Sequence, residues 1–226
     1  MGISGDLGKA LVPHLQKVAP DLTANFVHDA LTRAIHGVGP LPPAARAADK
    51  QLSEQHGNSE RAVHEVIENN VRLAGAQGFV TNLGGLVTMA VMIPANITGL
   101  AVLQCRMVAG IAHLRGYDLA DPRVHNAILA TILGEERVRK LVKKKELPSS
   151  PMGIATAPVH DPDLDRGISS QVASELLTRV AGKRVAATVG RRIPVLGGLV
   201  GAGADAYATW QIGRYADREL LSRIQR

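Results

Sequence analysis

Few groups of residues in this chain have types and spacings that could do chemistry. His64 opens HEVIE, the start of a zinc-protease helix, but that motif needs a second histidine where this chain has Glu68. Asp161, Asp163 and Asp165 in HDPDLDRG alternate as in a calcium loop. Arg166 then takes the place of the loop glycine and Val172 that of the closing glutamate, so a solvated stretch capping the next helix is expected instead. GAGADA (residues 201–206) fits the dinucleotide fingerprint G-x-G-x-x-A. Only twenty residues follow Ala206, too few for a helix, a second strand and the acidic ribose contact. His113 reads as a hydrogen-bonded residue at a helix end. With no G-x-S-x-G elbow, P-loop or cysteine cluster, the sequence offers no catalytic residue, metal site or cofactor.

Two charges sit deep in apolar sequence, Arg106 in LQCRMVAGIA and Asp205 in GAGADAYAT. An unpaired buried charge is costly, so the two are expected to face one another across glycine-bearing helices. The alternative is that Asp205 reaches an aqueous cavity where a headgroup or cation could sit.

The elements that must position these residues read as helices. Punctuation by caps, glycines and prolines recurs along the chain, and sustained two-residue alternation does not occur. Asp21 should cap a helix with Leu22, Phe26, Val27, Ala30, Leu31, Ala34 and Ile35 on one stripe, ended by Gly37. Pro43 opens a polar helix that stops at Gly57. Asn58 or Ser59 caps the next, with Val63, Val66, Ile67 and Val71 facing one way. Residues 83–105 then carry no charge over twenty-three positions. Two apolar helices meeting at Pro94 are expected here, a central hairpin within residues 77–114. The run is long enough to cross a bilayer, but Asn82, Asn96, Thr98, Gln104 and the break at Pro94 favour a buried pair that can engage membranes.

Asp121 and Pro122 start a further helix, and EERVRKLVKKK forms a small basic amphipathic one. Its Val138, Leu141 and Val142 lie opposite Arg137, Arg139, Lys140, Lys143, Lys144 and Lys145, which either lie on an anionic membrane or form a solvated face. Residues 146–162, with four prolines, are expected to be a linker. Gly84 and Gly85, and near the C-terminus Gly197, Gly198 and Gly201, give smooth faces for close helix packing. The expected architecture is one all-α domain over residues 1–226.

The net charge of +6 suits an anionic partner. An aromatic content of 3% argues against nucleic acid, because stacking platforms interleaved with basic runs are missing. The lone cysteine, Cys105, suits a reducing compartment, and the start of the chain lacks an apolar signal core, so a cytoplasmic location is expected.

The segment GFVTNLGGLVTMAVMIPANITGLAVLQCRMVAGIAHLRGYDLADPRV, with RRIPVLGGLVGAGADAYATWQIGRYA downstream, resembles the EcsC protein family. FVHDALTRAIHGVGPLPPA and AQGFV fit as well, so the resemblance extends over roughly residues 20–220. It implies a mainly helical bacterial protein related to the third gene product of an operon that also encodes an ABC transporter linked to secretion. The family's biochemical activity is not established, so no residue role carries over. The expected function is that of a membrane-associated accessory protein on the inner face of the membrane, engaging acidic lipid or a membrane protein such as that transporter. Pro94, Asn96, Gln104, Arg106, Asp205, Lys143, Lys144 and Lys145 are the candidate contacts. A soluble carrier of an apolar ligand, and an enzyme with an unrecognised site, are the rival readings.

Overall fold

The computed structural model describes residues 24–83, 89–189 and 194–223. Among these residues nine helices form: α1 (Ala24–His36), α2 (Ala44–Glu54), α3 (Ser59–Leu83), α4 (Met89–Leu114), α5 (Pro122–Leu133), α6 (Glu135–Lys143), α7 (Pro151–Ala155), α8 (Pro162–Val189) and α9 (Pro194–Glu219). The protein is all-α, as expected, and a single apolar cluster draws side chains from every helix.

The uncharged stretch owes its composition to its place. From Leu100 to Leu114 every residue of α4 is buried except Arg106 and His113, which are half-buried. These two are seven positions apart, hence on one face. Arg106 reaches the carbonyl of Pro42 and His113 reaches Asp49, on the side of α2 and the loop before it. All other faces of this part of α4 meet apolar neighbours from α1, α2, α3, α5 and α9. A helix enclosed on nearly every side can be apolar nearly all round.

The expected break at Pro94 is corrected: α4 runs from Met89 through Pro94 to Leu114 as one helix. Proline removes one backbone donor, and near the start of a long packed helix that loss is outweighed by the rest. The helix preceding it is α3, which ends at Leu83. Gly84 and Gly85 lie outside the described residues, as does the Asp21 cap. Among the described residues no helix is long and apolar enough to cross a membrane.

The expected stripes and stops appear elsewhere. Val27, Ala30, Leu31 and Ala34 of α1 are buried. Gly37 ends that helix at φ +89°, and a Cβ there would stand 2.9 Å from Leu41 O and Pro43 N. Asn58 Oδ1 accepts from the Arg61 amide at 3.0 Å, capping α3. Asp121 caps α5 by accepting from the Arg123 amide at 2.8 Å. Asp161 does the same for α8 at Asp163, 2.9 Å away. The stretch expected as a linker contains α7, whose Pro151, Ile154 and Ala155 are buried. It packs against α5 and so is no bare tether.

α3 and α9 run antiparallel. Glu60 at the start of α3 and Asp217 at the end of α9 meet the same guanidinium, while Gly213 lies over Ile67. A Cβ on Gly213 would approach Ile67 Cγ2 to 2.9 Å and Met107 Sδ to 3.1 Å, so this glycine lets α9 sit against both α3 and α4. It was not among the glycines expected to do so. Gly197, Gly198 and Gly201 fall within α9, but their surroundings lie outside the described residues.

Candidate functional site

Gly134, at φ +86°, ends α5 and starts α6. Its turn lets α6 bury Val138 and Leu141 and expose Glu135, Glu136, Arg139, Lys140 and Lys143, with Arg137 half-buried. Opposite α6 passes the last part of α9, where Trp210, Arg214 and Arg218 recur every four residues and share one face. Between them, with Glu175 of α8, lies a cleft of about 780 Å³. Five cationic side chains line it, Arg137, Arg139, Lys140, Arg214 and Arg218, against the carboxylates of Glu135, Glu136 and Glu175.

Most of these cations have an acid of their own. Glu135 takes Arg139 at 2.9 Å and Arg218 at 2.7 Å, Glu136 takes Lys140 at 2.6 Å, and Arg214 lies 3.4 Å from Asp217. The hydrogen bond from Lys140 holds the Glu136 carboxyl below the usual range. Arg137 differs. Its Nη2 donates to Gln171 Oε1 at 2.9 Å, and its Nε is buried with no hydrogen-bond partner.

At the rim stand the exposed rings of Trp210 and Tyr207, 46% and 59% accessible. They stack with centroids 6.0 Å apart and planes 20° from parallel. Gln211 Nε2 donates to the Tyr207 hydroxyl at 3.1 Å. Two large rings left in solvent beside a concentration of cations form an amphipathic surface.

Lys143 and Lys144 are exposed and follow Arg139 and Lys140 by four positions, so they continue the same basic strip beyond the cleft. Lys145 is exposed too and adopts φ +61° to end α6; the Glu146 amide closes that turn on Leu141 O at 2.9 Å.

The remaining expected contacts lie in the core. Gln104 is fully buried and donates from Nε2 to Thr209 Oγ1 at 3.2 Å, linking α4 to α9. The proposed pairing of Arg106 with Asp205 is corrected. Arg106 donates from Nε to Pro42 O at 3.2 Å and from Nη1 to Asn70 Oδ1 at 3.4 Å. Burial alone lowers its pKa, as expected of a guanidinium that has found carbonyl oxygens and no acid. Asp205 is buried on α9 and is engaged by other groups. Pro94 and Asn96 fall within α4, and their side-chain surroundings lie outside the described residues.

His113 Nε2 lies 2.7 Å from Asp49 Oδ1, and Asp118 accepts from the Ala120 amide at 2.9 Å. His64 is exposed and Glu68 pairs with Arg72 at 2.6 Å. GAGADA is continuous helix, without the strand-to-helix turn that a dinucleotide phosphate needs. Among the described residues no three potential metal ligands cluster.

The sequence reading found the basic face of α6 but missed Tyr207, Trp210, Arg214 and Arg218. Their signal was present in YATWQIGRYADRE, where ring and cation recur at helical spacing.

Searches among curated proteins and among solved structures found no match. The family model described as the EcsC protein family matches residues 3–224, nearly the whole chain, and this protein therefore belongs to the EcsC family.

Proposed function

We propose that this EcsC-family chain is a peripheral accessory protein that docks on the acidic inner face of a membrane through α6 and the end of α9. The observation that supports this reading is the stacked, exposed Tyr207–Trp210 pair beside five cationic side chains. Aromatic rings of this amphipathic kind partition into the headgroup region, and each nearby basic group adds about 1 kcal/mol of attraction to acidic lipid. Lys143, Lys144 and Lys145 extend the attractive surface. The enclosure of Leu100–Leu114 argues that contact does not run through that part of the apolar core.

Co-sedimentation with vesicles tests the reading. Binding to vesicles containing phosphatidylglycerol should exceed binding to pure phosphatidylcholine and weaken steeply as salt rises from about 0.1 M to about 0.5 M, because the charges are exposed and screened. Absence of binding to acidic vesicles at low salt removes it.

A further inference from the structure

We infer that the cleft between α6 and α9 is a phosphate-anion site in which Arg137 makes the selective contact. The proposal rests on the membrane reading for its source, the phosphate of an acidic glycerophospholipid presented at the Trp210 rim, and names the chemistry within it.

Among the described residues, Arg137 is the cleft cation that meets no carboxylate within ion-pair distance. Arg139 and Arg218 share Glu135, Lys140 has Glu136, and Arg214 has Asp217. Gln171, an amide without charge, takes one of its N–H groups, and the buried Nε has no acceptor. A half-buried guanidinium lining the cleft that no carboxylate neutralises keeps an unbalanced charge, and an oxyanion bound there supplies the missing counter-charge through a strong charge-assisted bond. The planar fork of arginine suits a phosphate, which offers several oxygens in a matching geometry.

The surroundings select among anions. A volume of about 780 Å³ exceeds what an ion with its first waters needs and suits a headgroup. The cations outnumber the carboxylates lining the cleft, so its field favours an anion. The exposed Tyr207–Trp210 stack gives the adjoining glycerol and upper acyl region an apolar wall, which a soluble anion would not use.

Trp210 is the only tryptophan in the chain, so its emission reports on this cleft directly. The full-length protein is titrated with phosphatidylcholine vesicles with and without phosphatidic acid, and separately with glycerol 3-phosphate. The comparison set is Arg137→Gln, Arg137→Lys and Arg139→Gln, each first matched to the wild type in its urea midpoint. Phosphatidic acid vesicles should shift Trp210 emission to the blue. Arg137→Gln should weaken that binding about tenfold or more, the loss of a charge-assisted contact, whereas Arg139→Gln should weaken it by less than about threefold. Arg137→Lys, which keeps the charge and loses the fork, should fall between them.

Equal weakening by Arg137→Gln and Arg139→Gln, or full rescue by Arg137→Lys, would overturn the site and leave diffuse membrane attraction standing. Saturable binding of glycerol 3-phosphate that Arg137→Gln abolishes, with no response to any vesicle, would keep the phosphate site and overturn the membrane source. If neither probe perturbs Trp210, both readings fall.

Discussion

Arg115 and Arg137 are the same residue type, one buried and one half-buried, in opposite electrostatic surroundings. Arg115, at the end of α4, is bound bidentately by Glu60 at 2.5 and 3.0 Å and by Asp217 at 2.7 Å. Its carbonyl accepts from the Arg223 amide at 2.8 Å, and Arg223 lies 5.6 Å above the Tyr117 ring. That cluster ties α3, α4 and α9 together and neutralises the charge, although the Arg115 Nε, like that of Arg137, is buried with no hydrogen-bond partner. Arg137 has a neutral amide and, among the described residues, no carboxylate within ion-pair distance. A charge-balanced cluster is what a fold uses to hold itself. A cation left without a carboxylate, beside exposed rings and an open volume, is where an outside anion can supply the balance.

The contrast predicts a core that stays shut while the cleft works. Burial pushes the Cys105 thiol up to about 12. At about pH 8 its reaction with a disulfide reagent should be at least a thousandfold or so slower in the native protein than in urea, since only the thiolate reacts and only opening exposes it. Vesicles bound at the cleft should leave that rate low. Acceleration on adding vesicles would show the apolar core opening to lipid and would move the contact away from Arg137.

The two arginines should separate in stability. Arg115→Met, which removes the cation shared by Glu60 and Asp217 and, among the described residues, leaves Asp217 only Arg214, is expected to lower the unfolding free energy by about 2 kcal/mol. Arg137→Met should change it by less than about 0.5 kcal/mol, since little is lost besides an unmet donor. Equal losses in urea titrations would erase the distinction.

A further difference lies along α9. Gly213→Val drives a side chain into Ile67 and Met107 and should cost about 2 kcal/mol. Gly203, in the same helix, is exposed with open space around it, so Gly203→Ala should add up to about 1 kcal/mol through helix propensity. Thermal melts of the pair measure both signs.

Asp121 sharpens the comparison from the side of α5, whose far end lines the cleft. The hydrogen bond from the Arg123 side chain, chiefly, holds its carboxyl below the usual range, so folded Asp121 binds its proton more weakly than the unfolded chain does. Its stabilisation is therefore complete above the ordinary aspartate range, near about pH 4, and disappears as pH falls through the lower folded value. Asp121→Ala should cost about 1 kcal/mol at neutral pH and progressively less in acid, with lipid binding unchanged.

Much of the helical layout is legible one segment at a time. Val27, Ala30, Leu31 and Ala34 announce a buried stripe by spacing, and Gly37, Gly57, Asn58 and Asp121 announce helix ends through backbone preferences that need no neighbour. Pro94 was misread for the same reason: its local cost is real, and contacts made by the rest of α4 outweigh it. Arg106 was assigned an acid because sequence shows the burial of a charge and not the carbonyl that turns up beside it.

The candidate site was only half legible. The cations of α6 form a visible run, but Glu135 meets Arg218 across 83 positions and Arg115 finds its carboxylates 55 and 102 positions away. Arg115 itself, in AHLRGYD, has the look of any basic residue at a helix end.

By itself the sequence determined that this protein is helical, where most helices stop, and that residues 83–105 must find shelter, because periodicity, capping and hydropathy act over a few residues. Only the tertiary structure decided which arginine meets carboxylates and which meets only a neutral amide, and that rings of α9 stand beside cations of α6. Charge pairing and exposure depend on distances between segments far apart in the chain, and packing sets those distances.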